Sequence, residues 1–174
     1  MIRSEPSSPP LDPARTGLER ADDGRMWLDG RYRSSLAVSG LNAFQSVMAT
    51  GQGRCLRALA DRENWRLELH HPHHPPRGVY LKRHHVRTWR SWLRASIGAD
   101  PGNTAGRVEA RNIRQLTAEG IAVMDLIAYG EHLHPDGRLE SFVLTRELAG
   151  YTPMDHFLPK RFRTISERAG TRSR

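Results

Sequence analysis

The sequence predicts an α+β domain: a five-stranded antiparallel sheet with one main helix. Three observations lead there. Trp65-Arg66-Leu67-Glu68-Leu69 alternates apolar and polar residues with the period of a half-buried strand. Val108 to Ala118 carries a helical apolar stripe of Val108, Ile113 and Leu116, with Ala110 nearby, and Gly120 stands as its C-terminal stop. Strand character resumes beyond that helix, over Ile121 to Tyr129 and again over Ser141 to Thr145. The resulting order is β-β-β-α-β-β without internal repeats, a helix inserted into an antiparallel sheet.

Taken in order, residues 1 to about 25 are rich in Pro, Ser, Asp and Arg without apolar periodicity, and read as a disordered or loosely attached arm. Met26-Trp27-Leu28 is the first apolar cluster, able to dock on the domain. Short strands are expected at Phe44 to Met48, Cys55 to Leu59, Trp65 to Leu69 and Gly78 to Lys82, the last two forming a hairpin. His70 to Pro76 breaks the pattern, since its three prolines do not suit a paired strand. Pro135-Asp136-Gly137 marks a turn between the last two strands. The domain division expected is an arm over residues 1–40, a folded unit over 41–158 and a basic tail over 159–174.

Composition narrows the classes. The chain has 174 residues with 37% apolar, enough for one core, and no run of apolar residues reaches the roughly 18 a spanning helix needs. The first ten residues lack the apolar stretch of a secretory signal. The single cysteine, Cys55, excludes an internal disulfide and a zinc framework, and reads as a small core residue. A reduced, cytoplasmic setting is the expectation. The net charge of +8 is concentrated. Lys82 to Arg94 holds five cations and no acid, and Leu158 to Arg174 holds six cations against Glu167. Such clusters suit phosphate, nucleic acid or an anionic membrane surface, and equally suit plain solvated surface.

Several residues invite chemistry and have a plainer reading beside it. His70, His71, His73 and His74 are dense enough for a transition metal, but their prolines favour a stiff hairpin tip, so no metal site is assigned. Trp89 and Trp92, among Arg87, Arg90 and Arg94, suit nucleic acid or lipid headgroups; the preferred reading makes Trp89, Trp92 and Leu93 the buried face of a short basic helix. Thr50-Gly51-Gln52-Gly53 has the look of a glycine loop, a weak signal for phosphate binding. His134-Pro135-Asp136 reads as a proline turn. Lys82 is one of two lysines in a chain that otherwise uses arginine, which favours a point-charge role over a planar fork; an exposed strand-end lysine is the alternative.

A strand ending in Gly78-Val79-Tyr80-Leu81-Lys82-Arg83-His84, Glu109 entering Ile113-Arg114-Gln115-Leu116, Gly120-Ile121-Ala122-Val123-Met124 to Ala128-Tyr129-Gly130-Glu131, and Ser141-Phe142-Val143-Leu144-Thr145-Arg146-Glu147-Leu148 follow one another with sensible gaps. Over about Phe44 to Leu158 the chain resembles the N-terminal lobe of the lipopolysaccharide core heptose kinases, relatives of the Kdo kinases with a protein-kinase-like fold. The resemblance implies ATP and Mg²⁺ as cofactors, with Lys82 on the phosphates and Glu109 holding Lys82 in place. It implies adenine contacts from the backbone at Glu147 and Leu148, and a phosphate-covering turn near Asp61-Arg62-Glu63-Asn64, where Arg62 substitutes for backbone amides. It further implies a truncated kinase: the catalytic Asp and the metal-binding Asp of a second lobe are not recognised after Arg146-Glu147-Leu148, which stands at the hinge position of this fold. The family reaction is ATP-dependent phosphorylation of a core heptose hydroxyl. This chain alone is expected to be inactive or nearly so, binding nucleotide weakly at best. Its expected partners are nucleotide, a separately encoded C-lobe, a lipopolysaccharide core acceptor and, peripherally, the anionic inner membrane. The rival reading is a small basic module for nucleic acid or an anionic membrane surface.

Overall fold

The computed structural model describes residues 17–148. Its elements are β1 (Leu18–Ala21), β2 (Met26–Asp29), α1 (Arg33–Val38), α2 (Phe44–Ala49), β3 (Arg54–Ala58), β4 (Arg62–His71), β5 (His74–Arg87), α3 (Trp89–Ser96), α4 (Ala105–Ala118), β6 (Leu126–Leu133) and β7 (Arg138–Arg146), with short 3-10 turns before β2 and α1. The seven strands form one antiparallel sheet in the order β1-β2-β6-β7-β5-β4-β3.

The expected five-stranded, single-helix sheet is therefore corrected to seven strands and four helices among the described residues. Two physical reasons account for the difference. Met26 and Leu28 lie in the part expected to be a loose arm, yet they alternate inward, are buried, and pair β2 with β6. A four-residue strand alternates too few times to stand out from a polar flank. Phe44 to Met48, expected as a strand, forms α2. Its buried residues Phe44, Val47 and Met48 recur at three- and four-residue spacing, which so short a run does not distinguish from a strand. Asp22 Oδ2 accepts from the Phe44 amide at 2.9 Å, fixing the start of that helix.

The sheet buries both faces unequally. On one, α1 and α2 cover Met26, Leu28, Leu67, Leu69, Val79, Leu81, Phe142 and Leu144 together with Leu36, Phe44 and Val47. On the other, α4 covers a smaller cluster of Leu18, Ala110, Ile113, Leu126, Tyr129 and Val143. That second cluster draws its strand residues from β1, β6 and β7, so the half of this face formed by β4 and β5 stays polar.

Other local expectations are corrected as well. Pro75 and Pro76 lie inside β5 rather than in a break. They are tolerated because β5 meets β7 only from Val79 onward, leaving that side of the strand free. Cys55 is exposed on β3, an edge strand with all five residues exposed, instead of in the core. Trp89, Trp92 and Leu93, expected as the buried face of a helix, are exposed on α3. The expectations for residues 149–174, including the end of the folded unit and the basic tail, lie outside the described residues, as do those for residues 1–16.

Candidate functional site

Cross-strand pairing decides which side chains share the polar half-face. Lys82 on β5 sits opposite Asn64 on β4 and Val143 on β7. Side chains two residues apart on a strand share a face, so Arg62, Asn64 and Arg66 of β4 join Tyr80, Lys82 and His84 of β5 there. Arg62 pairs in register with His84 and is thus the diagonal neighbour of Lys82. It is the first residue of β4, not part of the turn; the turn itself is Leu59-Ala60-Asp61, closed by the Leu59 amide donating to the Arg62 carbonyl at 2.8 Å.

Lys82 Nζ donates to Glu109 Oε1 at 2.5 Å, bringing together the two residues singled out from the sequence. Their side chains are 38% and 28% exposed, open to a ligand from solvent. At that exposure an ion pair adds at most about 1 kcal/mol to stability, so the pairing orients the lysine more than it stabilises the fold.

What places Glu109 is a clamp at the start of α4 that sequence reasoning missed. Thr104 Oγ1 caps the helix by accepting from the Arg107 amide at 3.1 Å, and its hydroxyl donates to Glu131 Oε2 at 2.8 Å. Arg107 bonds Glu131 as well and reaches Asp100 Oδ1 at 3.2 Å. Burial pushes the Glu131 carboxyl up, although Arg107 and Thr104 oppose the shift. The Gly106 amide donates to Ser141 Oγ at 3.2 Å, and a Cβ at Gly106 would fall 2.6 Å from the Phe142 carbonyl oxygen. Only glycine allows the helix so close to β7, and Glu109 follows one turn later over β5. A threonine ahead of an amphipathic run is a legible helix start; the Glu131 partner, 27 residues on, has no local signal.

His84 is the second residue missed. It lies on the Lys82 face, and its Nε2 is buried without a hydrogen-bond partner among the described residues. Burial lowers its pKa, opposed by the nearby Glu109 and assisted by Lys82 and Arg62. Burial thus favours the neutral imidazole beside the ion pair. Arg83, by contrast, points to the opposite face, where it lies 5.2 Å over the Trp65 ring and 3.3 Å from Glu63.

Glu147 is not a free side chain at the end of β7. Its carboxylate accepts from Arg66 at 2.9 and 2.8 Å and from the Tyr80 hydroxyl at 3.0 Å. The Arg66 hydrogen bond, against the effect of burial and with help from Tyr80, holds the carboxyl below its ordinary value. The Glu147 amide already donates to the Gly78 carbonyl at 2.9 Å, so an adenine would have to meet its carbonyl or the Leu148 backbone. Leu148 is exposed. Among the described residues, no group of three or more His, Cys, Asp or Glu converges.

A strand lysine paired with a helix glutamate is a pairing that protein kinases also contain. The chain matches the model of the lipopolysaccharide kinase (Kdo/WaaP) family over residues 45–172 and belongs to that family. It is 31% identical over 119 residues to the lipopolysaccharide core heptose(I) kinase WaaP of Pseudomonas aeruginosa, covering 68% of this chain and 42% of that protein. It is also similar to a solved structure of WaaP in complex with acyl carrier protein, with a TM-score of 0.50 and 29% identity over 76% of this chain and 44% of that one. The chain thus spans less than half the length of these relatives. No helix among the described residues is long and apolar enough to cross a membrane.

Proposed function

We propose that this chain is the nucleotide-holding part of an ATP-dependent kinase that phosphorylates a heptose hydroxyl of the lipopolysaccharide core at the cytoplasmic face of the inner membrane. The observation that carries the reading is the Lys82–Glu109 ion pair on the open half of the sheet, in a chain of this family. Lys82 binds the phosphates as a compact charge and Glu109 keeps its ammonium aimed across β5. Arg62, diagonal to Lys82, extends the phosphate contact along β4. The Glu147 carbonyl and the Leu148 backbone flank the adenine. Bound ATP supplies the γ-phosphoryl group, and these residues bind and orient it. The partners are nucleotide, a lipopolysaccharide core acceptor, and the remaining parts that the longer relatives contain; acyl carrier protein joins them from the solved relative.

Calorimetry with ATP and Mg²⁺ on the wild-type chain and on Lys82→Ala tests it. We expect a Kd of roughly millimolar order, about −4 kcal/mol, lost in the variant. No phosphate transfer to core acceptor is expected from the chain by itself, because a phosphate-positioning pair does not orient the attacking hydroxyl. Equal nucleotide binding by wild type and Lys82→Ala, or brisk turnover by the chain alone, would overturn the reading.

A further inference from the structure

The segment after β5 displays an amphipathic helix the wrong way round for a core element. Trp89, Trp92, Leu93 and Ile97 follow the three- and four-residue spacing of one helical stripe, yet they are 70%, 56%, 46% and 71% exposed. The side of α3 turned to the protein carries small residues instead, buried Ser91 and half-buried Ala95. Gly137, in the β6–β7 turn, lies against α3 at Trp92: a Cβ there would fall 2.6 Å from the Trp92 Cα and 2.8 Å from its Cβ, so the base of Trp92 rests on the turn while the residue stays 56% exposed. The Thr88 hydroxyl accepts from the Ser91 amide at 3.1 Å and fixes the first turn. Close packing thus holds the helix here, and the large apolar side chains are left outside it.

Charge sets the character of this surface. Arg87, Arg90 and Arg94 flank the stripe, and no acid occurs between Lys82 and Ala99. The Arg90 guanidinium lies 5.6 Å from the Trp89 ring centroid, a cation held against an aromatic face at the surface. Arg94 Nη1 donates to the Pro101 carbonyl at 2.9 Å, tying the end of the helix to the loop that leads into α4. With Val86, five of the ten exposed large apolar residues among those described fall between residues 86 and 97. Tryptophans at the level of headgroups, leucine and isoleucine beyond them, and arginines on the polar flank form the pattern of a helix lying in a bilayer interface. A nucleic-acid groove would use the same charges, but it would not explain Leu93 and Ile97 continuing the stripe.

We propose that α3 is a membrane-docking element that places Trp89, Trp92, Leu93 and Ile97 in the headgroup region of a bilayer containing anionic lipid. The surface is separate from the Lys82–Glu109 pair, so the inference does not depend on nucleotide binding. Docking by this helix would hold the sheet and its polar half-face close to a lipid-borne acceptor.

The test is co-sedimentation of the full chain with vesicles of phosphatidylethanolamine and phosphatidylglycerol, and with vesicles of phosphatidylcholine alone. Wild type should bind the anionic vesicles at least tenfold more tightly than the neutral ones. The Trp89→Ser/Trp92→Ser variant should lose at least tenfold in that binding, and Arg87→Gln/Arg90→Gln should lose the preference for anionic lipid. Lys82→Ala should bind vesicles as wild type does, which separates this inference from the nucleotide reading. Thermal melting checks that the variants fold, and Leu93→Ser/Ile97→Ser provides a second variant if the first does not. Undiminished binding by a folded stripe variant would overturn the proposal. So would equal binding to neutral vesicles, tryptophan-dependent binding to duplex DNA in place of vesicles, or protection of the wild-type tryptophans from iodide without vesicles, which would mean that the chain or a second copy already covers the stripe.

Discussion

The two faces of the sheet differ in how completely helices cover them. The face under α1 and α2 is sealed: Phe44, Phe142, Leu36, Leu81 and Leu144 have no solvent exposure. The face under α4 is sealed only over β1, β6 and β7, and the strip formed by β4 and β5 holds Asn64, Lys82 and His84, with Lys82 on the helix glutamate Glu109 and with Arg66 and Tyr80 on Glu147. A helix that lies across half of a sheet creates a ledge, and the ledge is where a strand lysine and a helix carboxylate can meet while remaining open to a ligand. Residues on the sealed face decide whether the chain folds. Residues on the ledge carry the proposed nucleotide contact.

The sharpest break in this comparison comes from the sealed face. Phe142→Ala should cost about 3–5 kcal/mol, because a fully buried ring leaves a cavity that the facing helices close only in part. Denaturant unfolding reads the loss. A change under about 1 kcal/mol would mean that the α1–α2 face is not the core.

Next in size is Tyr129, buried on the α4 face and stacked on Trp27 with ring centroids 4.9 Å apart. Burial, with a smaller contribution from the neighbouring Glu131, pushes its hydroxyl up to about 12. The unfolded chain releases this proton near pH 10 and the folded chain near 12, so the stability present below pH 10 is lost as pH rises through that window. The loss is of the order of 2–3 kcal/mol, at about 1.4 kcal/mol for each tenfold difference in proton affinity between the two states. Tyr129→Phe should flatten the alkaline limb of a stability–pH curve; an unchanged limb would place the titration elsewhere.

Gly106→Ala probes the seam between the two regions. Its methyl would meet the Phe142 backbone, and relieving that contact should destabilise the chain by about 1–3 kcal/mol. Because α4 carries Glu109, the same variant should also weaken nucleotide binding severalfold, read by calorimetry at a temperature where the variant is folded. A loss of stability without a loss of binding would show that the clamp does not aim Glu109.

The smallest effect on stability belongs to the ledge. Glu109→Gln should shift the unfolding free energy by less than about 1 kcal/mol, as expected of a half-exposed ion pair. Its nucleotide affinity should nevertheless fall severalfold because Lys82 loses its guide. A large stability change would mean that the pair is structural.

Particular residues show how much of this is legible in the sequence. Lys82 and Glu109 stand out through four short motifs in the order of a known family, and the structure brings their side chains together. Spacing alone leaves Lys82 an ordinary strand-end lysine. The Glu147 side chain reads only as a hinge position, whereas its bonds to Arg66 and Tyr80 come from residues 81 and 67 positions away. The tryptophans of α3 mislead for a different reason. A helical period states that one side of a helix is apolar, but not whether that side faces the protein.

By itself the sequence determined the strand face of Trp65 to Leu69 and the helix stripe of Val108 to Leu116, because those runs are long enough for the local periods of about two and 3.6 residues to show. It also determined where charge accumulates and which family motifs are present. Only the tertiary structure decided that β1 and β2 join the sheet, that Thr104, Gly106 and Arg107 clamp α4 against β6 and β7, and that the apolar stripe of α3 looks outward. Those outcomes depend on how closely one backbone approaches another and on polar partners dozens of residues apart, and such distances exist only once the chain has closed on itself.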